Sequence, residues 1–179
     1  SYIEINRVED AEDLYKKFEF HLSEYLQFNC LRALMESKGQ FAEALTELER
    51  RTTDYIEHNG HIYLLIKCEK YEQAKQLGKS ILEPINYSTE DPVLIVNYEL
   101  ARKKLNESPS DKRLNDVLSQ NSKDERLKSA VYAVLGKKLD MIESIRKVLK
   151  KDKTFKYELS VWPVFDPYRK DADFISLIQ

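Results

Sequence analysis

Residues 39–45, GQFAEAL, place a glycine two positions ahead of an aromatic and five ahead of an alanine. The stretch EKYEQAK at 69–75 repeats the aromatic and the alanine at the same separation, with Glu69 in the glycine's place. A recurrence at that distance constrains the fold more than any composition figure, because a repeat of about 30 residues is one supersecondary unit that buries its apolar face only against neighbouring copies. Each residue type has a mechanical reading. Glycine ends a helix at positive φ without steric cost. The aromatic, Phe41 or Tyr71, plugs the gap between two helices, and the alanine, Ala44 or Ala74, lets the partner helix approach.

The rest of the chain supports helices. All five prolines lie at or after Pro84 and only four glycines occur, and no run of alternating β-branched residues between turn clusters marks a strand. Asp91-Pro92 reads as an N-cap followed by proline at the first helical position. Leu94, Tyr98, Ala101 and Leu105 then share one helical face. Ser122 with Glu125 reads as a capping box. The pattern predicts helices over 10–21, 24–38, 41–54, 56–68, 71–83, 92–106, 111–120, 123–135, 138–151 and 171–178, the first two allowed to run on as one. Their short connections make antiparallel neighbours.

The 179 residues are read as a single domain, long enough for a substantial core. Hydrophobic residues at 42% and charged residues at 34% indicate a folded soluble chain. The longest apolar run, IYLLI at 62–66, is far short of a membrane span. The net charge of −2 hides an asymmetry, since residues 1–89 hold 11 Lys/Arg against 16 Asp/Glu and residues 90–179 hold 18 against 15. That difference is too small to make nucleic acid the expected partner. Cys30 and Cys68 fall among apolar positions and read as reduced core residues, which points to the cytoplasm. The start at Ser1 suggests a piece of something longer.

The turn residues resemble the tetratricopeptide repeat, a pair of antiparallel helices of about 34 residues marked by a Gly-x-aromatic turn and a following small residue. In a first unit, 27–56, Phe28, Leu31, Gly39, Phe41, Ala44 and Leu48 match, while Arg32 and Met35 replace the usual small residue and tyrosine. A second unit, 57–86, keeps Tyr71 and Ala74 but has Glu69 at the turn and Gly78 where a large residue is usual. YAVLGKKLDMI at 132–142 is similar, with Met141 in the small position, and belongs to a last hairpin over 123–151. The segment WPVFDPYRKDADFISLI, 162–178, resembles the piece that closes such arrays, so 157–179 is expected to be a cap. Residues 87–122 are a helical spacer with no clear copy.

Several stretches invite a chemical reading and fail it. QAKQLGKS at 73–80 ends like a phosphate-binding loop but has Gln73 for the first glycine and no preceding strand. His58 and His61 share a helical face without the further ligands a zinc site needs. His21, Cys30 and Cys68 carry no motif of a thiol nucleophile and its base. The basic run Lys137, Lys138, Arg146, Lys147, Lys150, Lys151, Lys153 and Lys156 reads as a solvated helix end without a stacking platform. No catalytic residue, cofactor or metal is therefore expected.

The expected fold is all-α, a right-handed α-α superhelix of tetratricopeptide-like hairpins. The resemblance implies a scaffold rather than an enzyme, holding a peptide or partner domain in a groove. Its concave side would carry Asn29, Ala33 and Glu36 from one unit and Asn59, Tyr63 and Ile66 from the next. That set lacks the lysine-rich pattern of carboxylate-clamping relatives. A second reading makes the chain the C-terminal sensing or regulatory region of a larger signalling or defence effector whose catalytic domain lies upstream. The sequence leaves the partner and oligomeric state open.

Overall fold

A computed structural model describes residues 7–22, 24–50, 58–83 and 91–179, with the side chains of Glu24, Tyr25 and Phe28 outside the description. The chain divides into two compact units, Ser1–Glu57 and His58–Gln179. All regular structure among the described residues is helical. No helix among them is long and apolar enough to cross a membrane.

The first unit holds α1 (Val8–Phe18), a 3-10 turn at Glu19–His21, α2 (Glu24–Ser37) and α3 (Phe41–Arg50). The 3-10 turn separates the two helices that the sequence allowed to run together. Acidic Glu9 and Asp10 in the first turn of α1 and basic Lys16 and Lys17 in its last complement the helix dipole. Between α2 and α3, Gly39 has φ +74°. Its N–H donates to the Glu36 carbonyl at 3.0 Å, and the Gln40 N–H donates back to the Met35 carbonyl at 2.8 Å. This pair of bonds is the Schellman closure of a helix end. Ala44 is fully buried, as its position after the turn requires. The predicted extension of α3 to 54 lies outside the described residues.

The second unit runs α4 (His58–Lys67), α5 (Tyr71–Leu82), α6 (Pro92–Lys104), α7 (Asp111–Gln120), α8 (Glu125–Leu135) and α9 (Lys138–Leu149), followed by α10 (Phe155–Val161), a 3-10 segment Pro163–Tyr168 and α11 (Ala172–Ile178). The turns inside α4–α5, α6–α7 and α8–α9 place Glu69, Asn106 and Gly136 at φ +58°, +62° and +73°. Each repeats the Gly39 closure: Lys70, Glu107 and Lys137 N–H groups donate to the carbonyls of Leu65, Arg102 and Tyr132 at 2.9, 3.0 and 2.9 Å. The turn is thus one backbone device built from three residue types. The stretch 87–122, which shows no copy in its sequence, contains the hairpin α6–α7. It was hidden because asparagine replaces glycine at the turn and Ser108, not an aromatic, follows two places on.

Helix α6 is central. Its residues Leu94–Ala101 are all buried, the polar Asn97 and Glu99 among them, because it packs against α4, α5, α7 and α8. Gly78 admits it: a Cβ there would stand 2.5 Å from Cδ2 of Tyr98, so glycine replaces the expected large residue where α5 and α6 meet. Ala74 is likewise fully buried.

Asp91 caps α6 as anticipated, accepting from the Val93 N–H at 2.9 Å. The Ser122–Glu125 capping box is not formed. Asp124 is the N-cap, accepting from the Leu127 N–H at 3.0 Å, because α8 begins at Glu125 and leaves that residue at the first helical position, turned to Lys128 at 2.8 Å. The sequence pattern also missed α10, whose seven residues are too few to declare a period. Cys30 and Cys68 are half-buried and not disulfide-bonded, rather than core residues.

Candidate interaction site

Asn29, Ala33 and Glu36 lie along one face of α2 in the first unit, all half-buried. The Arg32 guanidinium stands 3.7 Å from the Glu36 carboxylate one turn along. The same unit carries most of the exposed large apolar side chains found among the described residues: Leu14, Phe18, Phe20 and Leu26, with Phe20 87% exposed. Leu14 and Phe18 are one turn apart on α1, Phe20 is in the 3-10 turn and Leu26 opens α2. Carboxylates stand close by in sequence, Asp10 and Asp13 lining a small hollow of about 280 Å³ with Arg7, Leu14 and Lys17.

Asn59, Tyr63 and Ile66 share a face of α4 in the second unit, but that face is taken within the chain. Ile66 is buried and Tyr63 half-buried. The Asn59 amide donates to Asp91 at 3.1 Å, and its carbonyl accepts from the Asn97 amide at 2.9 Å. Asn97 is buried in turn, its carbonyl accepting from the Trp162 indole N–H at 2.9 Å. At the far end of α4, Lys67 donates to the Val161 carbonyl at 3.3 Å. The 3-10 segment 163–168 packs against both α4 and α8.

That segment is anchored from two further sides. The Tyr168 hydroxyl donates to the Ala133 carbonyl at 3.1 Å, and Lys103 donates to the neighbouring Val134 carbonyl at 2.6 Å. Both bonds go to carbonyls in the last turn of α8, where Ala133 also accepts from the capping Gly136 N–H at 3.2 Å. Burial lowers the Lys103 pKa from its ordinary value and raises that of Tyr168. Phe155, Phe165 and Phe174 are fully buried. Phe165 meets Phe155 and Trp162 edge-on, at ring separations of 6.4 and 5.9 Å. Lys138 ties α9 to α11, donating to Asp171 at 2.6 Å and Asp173 at 2.9 Å. Those two carboxylates raise the Lys138 pKa, and Lys138 in turn holds the Asp171 carboxyl below its usual range.

The remaining sequence candidates scatter. Residues 73–80, the fragment similar to a phosphate loop, lie inside α5. His58 is exposed and His61 half-buried on α4. Of the basic run, Lys138 is committed to α11 and Lys147 pairs with Glu143 at 2.8 Å, while Arg146, Lys150, Lys151 and Lys153 project from the end of α9 and the turn after it into solvent. Asn97 was missed, although a signal exists. Asn29 and Asn59 stand ten residues before their turn residues Gly39 and Glu69, and Asn97 stands nine before Asn106; the link needs the turn to be known. No protein-family model, curated protein or solved structure matches the chain.

Proposed function

We propose that this chain is a protein-interaction module, a right-handed stack of tetratricopeptide-type hairpins that holds a helical segment of a partner protein and performs no catalysis. The observation that carries the reading is the clustering of exposed Leu14, Phe18, Phe20 and Leu26 within one stretch of the first unit. Side chains of that size left in water in a group mark an interaction surface rather than a random surface. Helix docks against helix through apolar side chains one turn apart, which is how Leu14 and Phe18 are disposed. Asp10 is already paired with Arg7, and Glu12 with Lys16 and Lys38, so it is Glu9 and Asp13 that favour an amphipathic partner helix with basic residues along its edges. The α2 residues Asn29, Ala33 and Glu36 extend this surface, and Asn59, Tyr63 and Ile66 serve the cap instead.

The test uses Phe20→Asp and Leu14→Asp. At exposed positions each is expected to change stability by no more than about 0.5 kcal/mol. A partner cross-linked to the wild-type chain in its native cells is then purified and the complex rebuilt from two proteins. The expected result is at least tenfold weaker binding by either variant. Equal binding by wild type and variants moves the interface elsewhere, and a chain that captures nothing it can rebind in pure form ends the proposal.

A further inference from the structure

A second feature belongs to the second unit and is independent of that reading. Between α5, α6 and α7 the second unit carries a solvent-open cavity of about 330 Å³ lined by Lys75, Lys79, Tyr98, Arg102, Glu107 and Arg113. Such a volume falls at the small end of ligand pockets. Four of its six lining residues are cationic and one is a carboxylate.

The two arginines are held in place before any ligand arrives. Beneath the cavity lies Glu99, whose side chain is fully buried. One of its oxygens accepts from Arg113 at 3.0 Å, and the other from Arg102 at 3.0 Å and from the Ser110 N–H at 2.8 Å. Arg102 also donates its Nε to Glu107 at 3.0 Å. The Tyr98 ring lies 5.3 Å from the Arg113 guanidinium and 6.0 Å from that of Arg102. A planar guanidinium fixed by a buried carboxylate and an aromatic ring loses little freedom on binding an oxyanion, and its fork suits phosphate geometry.

Glu99 and Glu107 pair with Arg102, Arg113 and Lys75, and Glu83 with Lys79, so each cation has a carboxylate within 4 Å. Glu72 and Glu83 approach Lys75 at 3.1 Å and Lys79 at 3.6 Å, but from positions 54% and 57% exposed, where solvent screens the pairing. Lys75, and then Arg102, hold the Glu107 carboxyl below its usual range, as a positive field at that spot demands. Glu107 bridges Lys75 on α5, at 2.8 Å, to Arg102 on α6. It stands where an anion from outside would stand.

We propose that this cavity binds a small phosphorylated molecule, its phosphate held by Arg102 and Arg113 and covered by Lys75 and Lys79, with Glu107 as the anion already in residence. The argument uses side chains from three helices and no glycine-rich loop. The lysines of QAKQLGKS contribute through their positions on α5, one turn apart, and not through the motif they resemble.

Inorganic pyrophosphate is the probe, titrated calorimetrically into the whole chain at constant ionic strength, with amide chemical shifts followed in parallel. One equivalent is expected to bind with a sub-millimolar Kd. Lys79→Gln, at an exposed position, should weaken it by about fivefold, the loss of one partly screened charge contact. Glu107→Gln should tighten it by removing the competing carboxylate. Glu143→Gln on α9 makes the same change of net charge elsewhere and should leave the Kd alone. Shifts should concentrate at Lys75, Lys79, Tyr98, Arg102 and Arg113. No binding by the wild type overturns the proposal. So does equal tightening by Glu143→Gln, an unchanged Kd in Lys79→Gln, or shifts gathered at Arg146–Lys153.

Discussion

Replacing Gly78 with alanine sets two effects of known sign against each other. In a helix interior alanine is favoured over glycine by about 0.8–1 kcal/mol, so helix propensity alone predicts a more stable protein. The added Cβ, however, would lie 2.5 Å from Tyr98 Cδ2 and 3.1 Å from both Cβ and Cγ of the same residue. Contacts to Cβ and Cγ cannot be relieved by swinging the ring, and the ring is itself held between Arg102 and Arg113. The backbones of α5 and α6 must separate instead, at an overpacking cost of about 1–3 kcal/mol. The balance is a net loss of about 0–2 kcal/mol, centred near 1. Trp162 is the one tryptophan and lies in the same unit, so its fluorescence reports the relevant unfolding. With a urea m-value of about 2 kcal/mol per M, the midpoint should fall by about 0.5 M. A double-mutant cycle isolates the cause: in a Tyr98→Ala background, which removes the Cγ and Cδ2 contacts but keeps the Cβ at 3.1 Å, the same substitution should cost less than in the wild type. A midpoint that rises in the otherwise unaltered chain refutes the close approach of the two helices at this point.

At the turns, Gly39→Val should cost about 1–2 kcal/mol through backbone strain alone, since no atom lies within 4 Å of the added Cβ, while Glu69→Gly should stabilise by about 0.5–1 kcal/mol. Denaturation midpoints check both signs, and a stabilising Gly39→Val would disprove the left-handed closure. Deleting residues 157–179 removes the fully buried Phe165 and Phe174, at about 1.5–3 kcal/mol each, and should give a chain that associates on sedimentation. A soluble, monomeric and equally stable product would show the segment to be a tail rather than a cap. The folded pKa of Asp171 lies below its ordinary value of 3.8, so its pairing with Lys138 stabilises fully above that pH and is lost as the pH falls through the lower folded value. Asp171→Asn, which keeps a cap acceptor for α11, should therefore differ from wild type near neutrality and converge with it on acidification; a pH-independent difference contradicts the pairing.

Helices and their hairpin turns were legible wherever the turn carried the glycine or the aromatic behind it, because positive φ and a tight helix approach select those residues strongly. Ala44, Ala74 and Gly39 could be placed from sequence for that reason. Asn106 could not, since asparagine serves caps and open turns as readily as the left-handed position it takes here. The capping box failed on a shift of two residues: serine and aspartate both cap, and only the coordinates decide that Asp124 rather than Ser122 does so. The cavity side chains come from α5, α6 and α7, and Lys75 lies 38 residues from Arg113 in the chain. No local spacing carries such a convergence, and Glu99, which organises it, reads in sequence as one more charged residue on a helix.

The fate of Asn59 explains why a groove read from one helix was incomplete. A polar side chain on the first helix of a hairpin can meet a partner from another protein or from the same chain, and the helical period is blind to the difference. What decides is which segment of the chain packs beside the hairpin. After α8–α9 come α10, the 3-10 segment and α11, which supply large apolar side chains. These are Phe155, Phe165 and Phe174, and the 3-10 segment that carries Phe165 also reaches α4. Trp162 then needs an acceptor for its indole N–H, which Asn97 provides, and Asn97 needs Asn59. Asn59 and Asn97 are thus committed to the segment that carries Trp162. The first unit has the opposite balance, with Phe20 87% and Leu26 48% exposed, and the proposed interaction surface is drawn there.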